Sequence, residues 1–320
     1  MLDKSQNSSF LEKVDHWAQA LLSPFRHTLQ HSVTWSGIGV HRGQIATVSV
    51  HPYFPPSQAH QGVIFCGYPL AEWSVLHSAY ASCLTHPKVG QKKMTEHLFA
   101  ALYAAGIDDV SIEVDGEELP ILDGSAWLYL EPLKSVYSSS PSDQLSDLSL
   151  SREWIHLPKG YAVSWLESDL HVLSDLDDVD QFSVSSALPL QVSLHLNLPP
   201  LASHSFDLRT TSDLYQRVIP AKTFGFAKDE QALKSLGLIK GVSYENTRVY
   251  DHLGKAINPP HIHDEAAAHK ILDFLGDLYR LPYSPKGTVH IGRGSHELNH
   301  RFVQAIIRSF KSGLTESPMI

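Results

Sequence analysis

The run His269-Lys270-Ile271-Leu272-Asp273-Phe274-Leu275-Gly276-Asp277 is the stretch around which the chain organises itself. At 3.6 residues per turn, His269, Asp273 and Asp277 stand at i, i+4 and i+8 along one face of a helix. Ile271, Leu272, Phe274 and Leu275 occupy its other sides, which is unusual for a face that is merely solvated. An imidazole and a carboxylate one turn apart can chelate one zinc ion. The spacing alone leaves a surface His–Asp pair open as the plainer alternative.

Working outward, the pattern predicts a helix from about Glu265 to Tyr279, a strand Thr288–Ile291 and a final helix Asn299–Lys311. Upstream lie strand-like Tyr161–Trp165 and Gln191–Leu196, then a helical 211–218. Residues 135–151 hold eight serines and a proline, the composition of a linker. Before it come strand-like Ser32–Trp35, a Gly37-Ile38-Gly39 turn, a strand Ala46–Val50, a helix Glu96–Ala105 and a strand Val110–Val114. Ser9-Phe10-Leu11-Glu12 reads as a helix-starting capping box. Phe10, Val14, Trp17 and Leu21 then recur at helical spacing until Pro24. This amphipathic helix is expected to dock on its own domain, with a partner or membrane surface as the alternative. The expected organisation is an extension over 1–26, domain I over 27–134, a linker over 135–151, domain II over 152–311 and a tail over 312–320.

Composition narrows the function. Of 320 residues, 42% are apolar and 18% charged, enough for ordinary cores without staples. A net charge of -9 without long basic runs argues against nucleic acid as the main partner. No stretch of about 18 apolar residues offers a membrane span. Two cysteines, Cys66 and Cys83, make no disulfide framework and suit a reducing compartment. With no signal-like N-terminus, the cytoplasm is the expected location. The 20 histidines direct attention to metal sites and proton transfer.

Three further segments carry chemistry-bearing residues. Thr95-Glu96-His97-Leu98 puts a carboxylate beside a potential ligand at a helix start, although two ordinary helix residues would look the same. Gly292-Arg293-Gly294-Ser295-His296 presents a histidine on a glycine-rich loop after a strand, a reasonable acid–base position or a simple turn. Ala221-Lys222-Thr223-Phe224-Gly225-Phe226 offers a hydroxyl and two rings able to line a sugar or base pocket, or a buried strand end. The acidic stretch Asp175–Asp180 lacks calcium-loop spacing and reads as a solvated turn. Cys83 reads as a buried thiol.

Taken together, these segments resemble the zinc-dependent UDP-3-O-acyl-N-acetylglucosamine deacetylases of lipid A synthesis. The likeness is collinear from about His27 to Ile307. It runs through Gly37-Ile38-Gly39-Val40-His41-Arg42-Gly43, Glu96-His97-Leu98, Gly106-Ile107-Asp108-Asp109 and Pro120-Ile121-Leu122-Asp123-Gly124-Ser125-Ala126. Thr223-Phe224-Gly225-Phe226, Asp264 to Asp277 and Gly294-Ser295-His296-Glu297-Leu298-Asn299 complete it. Residues 150–220 match poorly and 1–26 fall outside.

The resemblance implies an α+β fold of two similar domains, each a sheet layered on helices, with the helices of both meeting around the site. It implies His97, His269 and Asp273 as ligands to Zn2+, with Fe2+ able to use the same set. Glu96 is then the general base and His296 the acid for the leaving amine. Asp277 orients His296, and Thr223 bonds the oxyanion. Lys270, Phe224 and Phe226 hold the nucleotide-sugar end, and Val242 lies along the passage for the acyl chain. Asp123 is expected as a supporting helix N-cap. The implied partner is the UDP-sugar lipid precursor, and a monomer is expected. Three departures stand out: Met94-Thr95 before Glu96, Lys222 where arginine is common, and Val242 where glycine is common. A zinc amidohydrolase of another acylated amino sugar, or a silent sugar-nucleotide binder, are the alternatives.

Overall fold

Alternation builds the first sheet. Along Ile45–Pro52, Ala46, Val48 and Val50 turn inward while the residues between them stay more accessible, the period-2 pattern of a half-buried strand. This strand pairs antiparallel with Val33–Ile38, Trp35 opposite Val48, and with Asp109–Asp115, Val50 opposite Ile112. His27–Leu29 lies parallel to Asp109–Asp115 and carries Ser135–Tyr137 on its outer edge. Gly62–Phe65 also pairs with Asp109–Asp115. The structure is a computed structural model. It describes all residues except 1–3, 56–61, 77–80, 138–150, 153, 158–160, 164, 167–168, 171–186, 202, 293 and 312–320.

The second sheet is built from later residues. Ala187–Leu196 sends Leu188, Leu190, Val192, Leu194 and Leu196 into the core. Ser284–Gly292 runs parallel to it with Val192 opposite Val289, and His204–Thr210 pairs antiparallel on its far side. Trp154–His156 and Tyr161–Val163 add in parallel to Ser284–Gly292.

Four longer helices accompany the sheets: α1 (Lys4–Leu22), α2 (Glu96–Ala104), α3 (Glu265–Leu278) and α4 (His296–Lys311). Helices α2 and α3 are apolar or small on most sides and are buried almost throughout, as all-round hydrophobicity requires. They cross at backbone contact, because a Cβ at Gly276 would collide with the Glu96 carbonyl. One continuous apolar core takes in Val48, Leu98, Leu190, Phe274 and Phe302 from both sheets and three helices. The architecture is α+β.

The amphipathic N-terminal helix docks on its own chain. The Trp17 Nε1 donates to the Leu133 carbonyl at 2.8 Å, and its ring meets Trp127 edge-on at 5.9 Å. Gly106 at φ +65 lets the backbone of Ala20 and Leu21 approach where any Cβ would clash. Arg152 then caps the end of α1, its Nη1 donating to the carbonyls of Ala20, Leu21 and Ser23 at 3.1, 2.7 and 3.1 Å. That satisfies carbonyls a helix end leaves free.

Several expectations need correction. Helix α1 is already running at Ser9, so the Ser9–Glu12 pair does not begin it; amides there are taken up by the preceding turn. Gly37 and Ile38 continue their strand, paired with Ala46 and Ile45, and the turn follows them. Ser135–Tyr137, at the start of the expected linker, forms a sheet edge because His27–Leu29 offers it free ladder groups. Its residues 138–150 and Asp175–Asp180 lie outside the described residues, while Ser151 at its end bridges to Phe25. The last helix starts at His296 rather than Asn299. Asp123 is not a helix N-cap: its Oδ1 accepts from the Ser125 amide at 3.1 Å and hydroxyl at 2.8 Å, closing a turn ahead of Trp127–Leu130.

Candidate metal centre and active site

The α2–α3 crossing brings distant parts of the sequence together. His97 at the start of α2 meets His269 and Asp273 on α3, their ligand atoms all within 4.8 Å of one another. All three are buried. Each imidazole is aimed by a backbone carbonyl: His269 Nδ1 lies 2.9 Å from the Ala221 carbonyl, and His97 Nδ1 3.4 Å from that of Ser125. Such contacts fix the tautomer and leave Nε2 for a ligand role.

Electrostatics suits the same role. Burial, with His269 alongside, pushes the His97 imidazole down to about 3. Burial likewise lowers His269, against the pull of Asp273. Both rings are therefore neutral, the form that binds a cation. Burial works to raise the Asp273 carboxyl, yet Lys270, His269 and His296 together hold it well below the usual carboxylate range. Two neutral imidazoles and one ionised carboxylate fit a divalent ion with a coordination position to spare.

A glutamate–histidine pair, Glu96 and His296, flanks this cluster. Glu96 is 1% exposed, and its Oε2 has no hydrogen-bond partner among the described residues. Burial pushes its carboxyl up to about 8, against the pull of His296. His296 Nε2 lies 3.6 Å from Glu96 Oε1 and 3.8 Å from Asp273 Oδ2, and its Nδ1 lies 3.0 Å from Asp277 Oδ2. Burial works to lower the His296 imidazole, but Asp273, Asp277 and Glu96 raise it to about 9. Glu96 Oε1 thus faces the His296 ring across a short gap, and both groups have a raised affinity for protons.

Of the remaining expected residues, Phe224 and Lys270 touch the cluster directly. Thr223, Phe224, Phe226 and Val242 line a cavity of about 460 Å³, together with Leu233 and Ile239. Phe224 also packs edge-on against His269, at 6.4 Å between rings. The Thr223 amide donates to the Gly124 carbonyl at 2.7 Å, and Thr223 is followed by the strand Phe224–Phe226, parallel to Arg248–Tyr250. Val242 is not in the left-handed region; Ile239 (φ +54) and Gly237 (φ +73) take those positions in this loop. Lys270 Nζ donates to Asp273 Oδ2 at 2.9 Å and sits over the Phe224 ring at 5.5 Å, so part of its charge already serves the cluster. Lys222 turns to the Glu245 carbonyl at 2.5 Å and to Asp123 at 3.7 Å.

The sequence reading missed the surroundings of Asp277. Its Oδ2 also accepts from Asn299 Nδ2 at 2.8 Å, its Oδ1 accepts from the Ser82 hydroxyl, and His300 Nε2 stands 3.6 Å from Oδ1. Asn299 and His300 were within reach of a helical-spacing argument from His296, once the helix is known to begin there. Nothing in the sequence near Ser82 marks it.

Comparison with known proteins agrees with this geometry. A family model described as UDP-3-O-acyl N-acetylglycosamine deacetylase matches residues 26–308. A UDP-3-O-acyl-N-acetylglucosamine deacetylase from Geotalea uraniireducens is 30% identical over 88% of this chain and 88% of its own. Those of Helicobacter pylori and Thermosynechococcus vestitus are each 31% identical over 89% of this chain, and over 92% and 95% of theirs. A match of this extent, over a chain whose buried His–His–Asp cluster lies beside the Glu96–His296 pair, places the protein in the UDP-3-O-acyl-N-acetylglucosamine deacetylase family.

Proposed function

We propose that this chain hydrolyses the N-acetyl group of UDP-3-O-acyl-N-acetylglucosamine, releasing acetate and the free amine for lipid A biosynthesis. One observation carries the reading: Glu96 and His296, with raised affinity for protons, stand against a ligand cluster of His97, His269 and Asp273. A divalent ion bound there, Zn2+ or Fe2+, would polarise the amide carbonyl and acidify water. With the cation's charge beside it keeping the carboxyl ionised, Glu96 takes the attacking water's proton, for which its Oε2 has no other partner among the described residues. His296 enters as a cation, steadies the developing oxyanion and gives its Nε2 proton to the departing amine. Asp277 holds His296 Nδ1, so the ring presents Nε2 to the reaction. Thr223 contributes a hydroxyl to the oxyanion. Phe224, Phe226 and Val242 receive apolar parts of the substrate along the cavity, and Lys270 contributes to the nucleotide-sugar end.

The first sheet uses only residues 27–137 and the second only 154–292. This supports reading 27–134 and 152–311 as two domains whose helices meet at the site. Among the described residues no helix is long and apolar enough to cross a membrane. Two free thiols suit the reducing conditions of a cytoplasmic location. The test is acetate release from the UDP-linked substrate, before and after chelation and on re-addition of Zn2+. Equal turnover of a UDP-free acylated amino sugar would instead favour a broader amidohydrolase, and no turnover with ligand binding a silent homologue.

A further inference from the structure

Besides His296, Asp277 is held on both oxygens by groups that the chemistry above does not require. On Oδ2 it accepts from His296 Nδ1 at 3.0 Å and from Asn299 Nδ2 at 2.8 Å. On Oδ1 it accepts from the Ser82 hydroxyl. Ser82 Oγ in turn lies 3.1 Å from His300 Nε2 and 3.2 Å from His296 Nδ1. A hydroxyl has one proton to give. If Ser82 spends it on Asp277, its lone pairs are left to accept from a ring N–H, and His300 Nε2 is the nearest. The directions then run one way: His300 Nε2–H to Ser82 Oγ, Ser82 O–H to Asp277 Oδ1, and His296 Nδ1–H to Asp277 Oδ2. His300 stands one helical turn beyond His296 on α4, their rings stacked at 6.4 Å. Ser82 comes from the other half of the chain, just before the strand Cys83–His86, and its carbonyl accepts from the Met94 amide at 3.0 Å, two residues before Glu96. All these side chains are buried.

We infer that His300, acting through Ser82 and Asp277, is a positioning residue for the deacetylation, fixing the plane of the Asp277 carboxylate and so the direction in which His296 presents Nε2. Without the Ser82–His300 arm, Oδ1 loses its fixed donor and the carboxylate can turn about its terminal torsion, which is broad for an aspartate. His296 would follow it. Misplacement of a reacting group by about 1 Å can cost about 10²-fold in rate, and partial loosening of one contact should cost roughly tenfold.

The inference rests on the deacetylase reading for its kinetic arm, so the experiment has a second arm that does not. In the first arm, acetate release is compared for wild type, His300→Leu, His300→Gln and each combined with Asp277→Asn. His300→Leu should lower kcat about tenfold with KM and bound metal unchanged. Gln carries an amide donor near the position of Nε2 and should restore most of the rate. In the Asp277→Asn background the Leu change should add little, because groups acting as one unit do not multiply. In the second arm, the His296 ring is followed by nitrogen-15 NMR on the metal-free protein. The Nδ1–H signal should shift and exchange faster in His300→Leu and return in His300→Gln. A wild-type rate in His300→Leu, a Gln variant no better than Leu, fully multiplying losses, or an undisturbed His296 signal would each overturn the inference. Absence of turnover in wild type, by contrast, would strike the deacetylase reading and leave the NMR arm to decide this one.

Discussion

Replacing Gly276 by alanine tests the joint on which the site is built. Its missing Cβ would meet the Glu96 carbonyl oxygen, carbonyl carbon and Cα. These are backbone atoms of the residue next to a proposed ligand, so no rotamer change relieves the clash. Overpacking of this kind costs about 1–3 kcal/mol, and rigid backbone on the receiving side puts Gly276→Ala near the upper end. Against it stands the helical preference of alanine over glycine, about 1 kcal/mol. The net expectation is a loss of about 2 kcal/mol, about 3 °C in melting temperature for a chain of this size. The rate should fall further than the stability. Parting α2 from α3 draws Glu96 and His97 away from His269, Asp273 and His296 together, and about 1 Å is worth about 10²-fold. Thermal melting, metal content and acetate release on the purified variant give the three readings. A variant that melts at or above wild type and turns over at the same rate would refute the argument that backbone contact sets the active-site spacing.

Other outcomes follow from the same geometry. His97→Ala, His269→Ala and Asp273→Ala should each lose the bound divalent ion while the fold survives, read by elemental analysis and circular dichroism; an ion retained in any of them would remove that residue from the ligand set. The rate should be bell-shaped in pH, failing on the acid side as Glu96 takes up a proton and on the alkaline side as His296 loses one. Without a cation those groups sit at about 8 and about 9; a nearby dication disfavours protonation of both, so both limbs should lie lower in the loaded enzyme. Glu96→Gln should cost about 10²–10⁴-fold and remove the acid limb with the ion still bound, and near wild-type turnover would reassign the base. Val242 narrows the cavity with a branched side chain, so Val242→Gly should shift preference toward longer acyl chains, by up to about 0.8 kcal/mol or fourfold per methylene newly accommodated. An unchanged kcat/KM series across acyl lengths would show that Val242 does not gauge the chain.

How much of this could be read before folding depends on the range of the interactions. The helices Glu96–Ala104 and Glu265–Leu278 were legible because both are runs of strong helix formers, alanine and leucine above all, a local property of the chain. His269 and Asp273 were legible for the same reason, one turn apart on one helix. The capping box at Ser9 misled because the chain was already helical before it, and a cap matters only where amides are free. Ser135–Tyr137 looked like linker because a three-residue edge strand has too few side chains to show a period; its pairing with His27–Leu29 is a tertiary fact.

At the site the division is the same. Sequence alone determined the helical stripe of His269, Asp273 and Asp277, the family to which the ordered motifs point, and the residues worth testing. Only the tertiary structure decided that His97 reaches that stripe across a glycine crossing, that Glu96 is buried bare beside His296, and that Ser82 and His300 brace Asp277. Those contacts join residues 172 to 218 positions apart, such as His97 to His269 and Ser82 to His300. No local pattern encodes them, because they exist only once the core has closed and the backbones of α2 and α3 have met.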